Sequence, residues 1–259
     1  MISSTFFFLF SELGVGMALA LLFISPRAIG PSFFTFASST AAVLMGVTLG
    51  FDFLFPSQFR TGKLPVAMLL VSALLLAVYN RVVTSEKYGA ARALLIAATV
   101  AGLVSVSADA LSFTQLESAG GWGRWGFLAN HLAATALLGS VTLTMVFGHW
   151  YLVIPRLSID HLKVLTKVLT VTIAVRVVTV AVTLALPFGI DRALHEGLFF
   201  WPRILFGVAA PIVLTAMIWN TVKIQHTQAA TGFLYLAVVA LLFGEFFSKF
   251  LLFEIRLPL

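Results

Sequence analysis

Eight apolar runs of roughly 20 residues, each closed by Pro, Gly or a charge, occupy most of the chain. They fall near 5–25, 32–55, 64–83, 89–109, 125–153, 160–188, 198–224 and 229–254. A helix of that length rises about 30 Å, the thickness of the hydrocarbon core of a bilayer. Composition agrees: of 259 residues, 60% are hydrophobic and 10% charged, where soluble domains have about 45–50% and 25%. The excess apolar surface must face lipid. The predicted fold is therefore all-α, a polytopic membrane bundle of about eight helices.

The first run lacks the marks of a removable signal sequence. It has no basic start, carries Glu12 inside its apolar core, and ends at Ser25-Pro26-Arg27 without a small-x-small site. It is expected to remain as the first membrane helix. The connections are short, the longest lying around 117–121 and 189–196. Loops of this size hold no folded domain, so any large soluble surface must come from another polypeptide.

The chain has no cysteine, which excludes disulfides, iron–sulfur ligation, thiolate zinc sites and cysteine nucleophiles. The formal charge of +6 is scattered over the loops, with no run resembling a nucleic-acid arm. Nucleic acid is not expected as a partner; the lipid bilayer and other membrane subunits are. Arg27, Arg81, Lys87, Arg92, Arg156, Lys163, Lys167 and Lys223 fall on one side, and Arg60, Lys63, Arg124, Arg192 and Arg256 on the other, with Arg203 and Lys249 near helix ends. The positive-inside rule puts the first group in the cytoplasm and both termini outside.

A weak internal repeat runs through the chain. Tyr79-Asn80-Arg81-Val82 and the following Gly89-Ala90 and Leu94 match Trp219-Asn220-Thr221-Val222, Ala229-Ala230 and Leu234. Ile24-Ser25-Pro26-Arg27 likewise resembles Val153-Ile154-Pro155-Arg156. Two four-helix units, 1–110 and 124–259, in parallel orientation account for both matches. Gly46 and Gly50 form a pattern that admits a close helix neighbour, and Pro211 predicts a kink in the seventh span.

Ionisable residues inside the hydrocarbon each cost at least ~2.5 kcal/mol and call for a reason. Glu12 and His131 lie ~10 Å below the outer surface, while Arg176 and Glu245 climb ~24 Å from the inner one, which brings all four to one level. Arg176 can neutralise one carboxylate and leave the other paired with His131 as a proton-accepting couple. The same four can also act purely as a structural network. His131 and His149 share one helix about 27 Å apart, near opposite faces. Haem b ligation by these two is a secondary reading, with His195, His161 or His226 as axial partners. No other metal site is expected.

Eight helices in two bundles with a polar cluster near the outer face look like the NrfD/PsrC/DmsC-type membrane subunits of respiratory oxidoreductases. The local similarity lies in Phe8-Leu9-Phe10-Ser11-Glu12-Leu13-Gly14-Val15-Gly16, similar to the Gly-rich start of that family. The resemblance implies a bacterial inner-membrane subunit that anchors a redox partner and binds quinone near the outer face through Glu12, His131, Arg176 and Glu245. A proton-coupled secondary transporter or ion carrier, and a membrane scaffold with no site of its own, are the alternatives.

Overall fold

The computed structural model describes residues 2–54, 62–112, 120–154, 157–185 and 197–255. Within them the chain is helical, with no strand. The elements are α1 (Ile2–Leu21), the short α2 (Pro26–Ile29), α3 (Pro31–Leu54), α4 (Lys63–Thr84), α5 (Tyr88–Ser112), α6 (Gly120–Val153), α7 (Ile159–Ala185), α8 (Gly197–Ile204), α9 (Ala210–Lys223) and α10 (Thr227–Ile255). Among the described residues seven helices are long and apolar enough to cross a membrane, α8 and α9 forming one of them, and Thr5–Leu21 is a shorter apolar helix. The protein is a multi-pass membrane helix bundle.

Its surface is apolar, as lipid requires. Val43, Leu74, Val171, Val213 and Val239 are all more than half exposed. Inside a bilayer each helix satisfies its own backbone groups, so burial is driven by close packing rather than by exclusion of water. Two helices form the centre. α1 is buried along almost its whole length, and 78% of the apolar window of α6 is buried, against 22–50% for the other long spans.

α1 and α6 cross at glycines. A Cβ on Gly139 would overlap the backbone of Gly16, and one on Gly16 would overlap Thr135 and Gly139. Gly207 and Gly244 make a second close approach between the seventh span and α10. By contrast a Cβ at Gly46 or Gly50 meets nothing within 4 Å. Among the described residues the expected small-residue contact of α3 is not made. The pattern fixes spacing but not which neighbour the stripe faces.

Glu12 meets His131 while Gly16 meets Thr135 and Gly139, so α1 and α6 run in the same direction. An even number of spans therefore separates their starts, in keeping with the four that α1 and α3 to α5 provide. Phe8 and Phe253 have ring centroids 6.0 Å apart, which brings the starts of the first span and the end of the last to one end of the bundle.

Contacts follow the same circuit in both halves. α1 packs on α3, α3 on α4, α4 on α5 and α5 on α1; α6 packs on α7, α7 on α9, α9 on α10 and α10 on α6. The buried residues Phe34, Ala37, Ser38, Ala41, Met45 and Thr48 of α3 correspond at a constant spacing of 128 to Leu162, Leu165, Thr166, Leu169, Ile173 and Arg176 of α7.

The turn after α4 and the turn after α9 are built alike. Each contains a non-glycine residue in the left-handed region, Glu86 at φ 57° and Gln225 at φ 60°. Each closes with the same bonds: Glu86 N–H to Val83 O and Gln225 N–H to Val222 O, both 3.1 Å. The spacing here is 139, one less than the sequence match of Asn80 with Asn220. Trp219, not Asn220, stands where Asn80 does in the first half. Asn80 donates to Ser39 Oγ at 2.9 Å and meets Ser38, whereas Asn220 is exposed. The shared asparagine was coincidence; the backbone turn sets the register.

The helix type changes just ahead of Pro211. A π-helical turn, Leu205–Ala209, immediately precedes it, with Ala210 N–H reaching Leu205 O. The wider turn accommodates the proline without breaking the span.

Candidate functional site

Glu12 comes from α1, Asn130 and His131 from α6, Arg176 from α7, Arg203 from α8, and Glu245, Ser248 and Lys249 from α10. The last three occur at i, i+3 and i+4 and so share one helix face. All eight side chains are buried, and they form two adjoining groups.

In the first group His131 Nδ1 bonds Glu12 Oε1. Lys249 Nζ donates to the same Glu12 oxygen at 2.6 Å and lies 3.4 Å from His131 Nδ1. The imidazole is wedged between Phe127, at a centroid distance of 4.3 Å, and Phe8, at 5.1 Å. The second Glu12 oxygen, Oε2, is buried with no hydrogen-bond partner.

In the second group Arg176 grips Glu245 through two parallel bonds, Nε to Oε1 and Nη2 to Oε2, both 2.9 Å. Its remaining donors reach Asn130 Oδ1 at 2.6 Å and Ser248 Oγ at 3.2 Å. Asn130 is oriented in turn by donating to Gly126 O at 3.0 Å and Thr183 Oγ1 at 2.9 Å. Arg203 Nη2 lies 3.4 Å from Glu245 Oε1, yet its three guanidinium nitrogens have no hydrogen-bond partner. A Cβ on Gly207 would collide with that guanidinium; glycine is what leaves it room.

A void of about 10 Å³ joins the groups, bounded by Phe127, Asn130, His131, Arg176, Ser248, Lys249 and Leu252. That is about the size needed for one water. The arrangement can hold a proton, or pass one between Glu12 and His131, in a region withdrawn from solvent.

The four residues expected from the sequence thus meet in one layer, with the carboxylates divided as the charges dictate: Arg176 takes Glu245, His131 takes Glu12. The space directly beside them is the small void. The larger apolar grooves lie elsewhere. One of about 870 Å³ runs between α7 and α9 past Lys167 and Trp219. Another, of about 270 Å³, lies between α1, α6 and α7.

Sequence reasoning missed Lys249, Arg203, Asn130 and Ser248. Lys249 and Arg203 read as helix-end residues because long cationic side chains usually reach outward; here both turn inward to carboxylates. The i, i+3, i+4 spacing of Glu245, Ser248 and Lys249 was the available signal. His149, the second haem candidate, is exposed and lies 3.2 Å from Tyr235 Oη. The void at His131 is far smaller than the roughly 300–1,000 Å³ of cofactor pockets. His195 lies outside the described residues.

Compared with known proteins, no family model matches the chain and no curated protein does.

Proposed function

We propose that this protein is an integral membrane subunit of a multisubunit, respiratory-type electron-transfer complex in a bacterial inner membrane, and that its buried polar layer exchanges protons with a quinone. The observation that carries the reading is the Glu12–His131 couple with Lys249 beside it. An acid and an imidazole share a hydrogen bond in a site walled by Phe8 and Phe127. Quinone chemistry at a ring oxygen needs such a titratable pair held away from bulk water.

A row of rings beside α1 supports an approach for the quinone ring. Phe246, Phe6, Phe10 and Phe51 form a ladder, with centroid distances of 5.7, 5.9 and 6.4 Å between successive rings. All four are partly exposed, so a planar headgroup can stack along them. The short loops leave electron carriage to another chain, which this subunit would anchor.

The test is purification of the assembly from its native membrane, with its visible spectrum and co-purifying chains, and quinol-linked turnover of Glu12→Gln and His131→Gln. The expected result is a redox partner in the assembly and turnover lowered by about tenfold or more in both variants. An assembly without a redox chain, or unchanged turnover, removes the reading.

One observation favours a second reading, a proton-coupled carrier. The void between the two groups fits a water and not a quinone ring. Proton flux into vesicles reconstituted with this chain alone, abolished by Glu12→Gln, would favour the carrier over the redox subunit.

A further inference from the structure

At the opposite end of the bundle from the polar layer, the end that carries Lys87, a pocket of about 200 Å³ opens between the turn after α1, α4 and the start of α5. Its wall combines two chemistries. Leu21, Ile24, Phe34 and Leu95 make one side apolar; Arg27 and Arg92 bring charge, and Tyr79 also borders the space. Tyr79 is 1% exposed, and its hydroxyl is buried without a hydrogen-bond partner. Such a group is costly unless something meets it.

The backbone adds donors at the same place. Gly89, in the first turn of α5, lines the pocket; Tyr88 N–H is used by Glu86 O and Ala91 N–H by Lys87 O, which leaves the N–H groups of Gly89 and Ala90 as first-turn donors without a preceding turn to bond. A helix start also favours an anion. Arg27 is held over the Tyr88 ring, 5.8 Å from its centroid, which fixes the guanidinium at the pocket mouth. Among the described residues the wall carries no carboxylate.

The second half of the chain shows that the scaffold does not require these groups. At the spacing of 139 set by the turns, Tyr79, Tyr88 and Arg92 correspond to Ile218, Thr227 and Thr231. At those three positions the second junction carries neither a phenol nor a guanidinium; Arg156, which the sequence match pairs with Arg27, lies outside the described residues. Tyr79 and Arg92 are therefore particular to the first half.

We infer that this pocket binds a phosphate group: the guanidinium groups of Arg27 and Arg92 neutralise it, while the Tyr79 hydroxyl and the first turn of α5 donate to its oxygens. An apolar wall beside the phosphate suits an acidic phospholipid of the adjacent leaflet, and a free phosphate would use the same donors. The site is separate from the Glu12–His131 couple, so its test is independent of the proposed redox role.

The experiment uses the full chain in a neutral detergent. Native mass spectrometry is run with added dioleoyl phosphatidylglycerol, with dioleoyl phosphatidylcholine, and with inorganic phosphate. The variants are Arg27→Gln/Arg92→Gln and the volume-conserving Tyr79→Phe, each checked by its melting temperature without ligand. Phosphatidylglycerol retained in preference to phosphatidylcholine, with retention about tenfold weaker in the double variant and partly weakened in Tyr79→Phe, supports the site with a lipid as its source. Retention of inorganic phosphate with the same variant dependence supports it with a soluble source. Equal retention of both lipids and no phosphate, or variants that fold normally and bind as the parent does, overturns the proposal.

Discussion

Arg176 holds Glu245 through two parallel N–H···O bonds in a buried site where Asn130, Ser248 and Arg203 are the neighbouring polar groups. Truncating one member of such a pair strands the other charge, at a typical cost of 3–5 kcal/mol (about 100-fold or more in an equilibrium). Arg176→Met should therefore lower the melting temperature of the detergent-solubilised protein markedly, and Arg176→Met/Glu245→Leu should recover much of the loss. A double variant as unstable as the single one would show that the charges matter for more than each other. The same cycle on Glu12 and Lys249, 2.6 Å apart, should give coupling of the same sign: Glu12→Gln/Lys249→Met less damaged than the sum of its parts. Additive losses there would mean that His131, and not Lys249, is the partner that matters to Glu12. The legibility of these residues followed their cost. Glu12, His131, Arg176 and Glu245 stand in apolar runs where no cheap explanation exists. Lys249 and Arg203 have stems long enough to reach either way, and depth along a helix does not choose the direction.

Packing decides the elements in the same physical way. The spans read from hydropathy follow α3 to α7 and α10 closely at most ends, because the hydrocarbon thickness that sets the length of an apolar run also sets the length of the helix. What hydropathy does not carry is facing. Gly46 and Gly50 have the spacing of a contact stripe and open space around them, whereas Gly139, with no glycine four residues to either side, touches the backbone of Gly16. Two substitutions separate the cases. Gly139→Ala should destabilise the bundle by about 1–3 kcal/mol, since α1 and α6 must move apart to admit a methyl group. Gly46→Ala should be neutral or slightly stabilising, as alanine is the better helix former. Thermal melting of both variants in one detergent checks the pair. Equal loss at the two positions would mean that α3 has a close neighbour contributed by another chain.

In the whole molecule, helix direction fixes the topology. α1 and α6 lie side by side and run the same way, and each heads a circuit of helices that closes on itself. An even number of crossings must separate the two helices. Four apolar helices, α1 and α3 to α5, precede α6, and four spans follow from its start. The sequence showed the number of spans through their length, and it hinted at the repeat, but at a register one residue away from the one the turns at Glu86 and Gln225 adopt. Identity of side chains is a poor guide to equivalence when lipid accepts almost any apolar residue; backbone bonding at a turn is a strict one. The topology predicts that Lys87 lies on one side of the membrane, and that Gly120 and the two ends of the chain lie on the other. The basic residues Arg27, Arg81, Lys87 and Arg92 assign the Lys87 side to the cytoplasm. Reporter fusions after Lys87, after Gly120 and at the C-terminus measure this directly. A cytoplasm-active reporter should work at Lys87 alone, and a reporter active only outside should work at the other two positions. If the C-terminal fusion reports the same side as Lys87, the last span does not complete a crossing. The second circuit would then be an odd-numbered unit, and the parallel relation between the halves would not extend to their final helices.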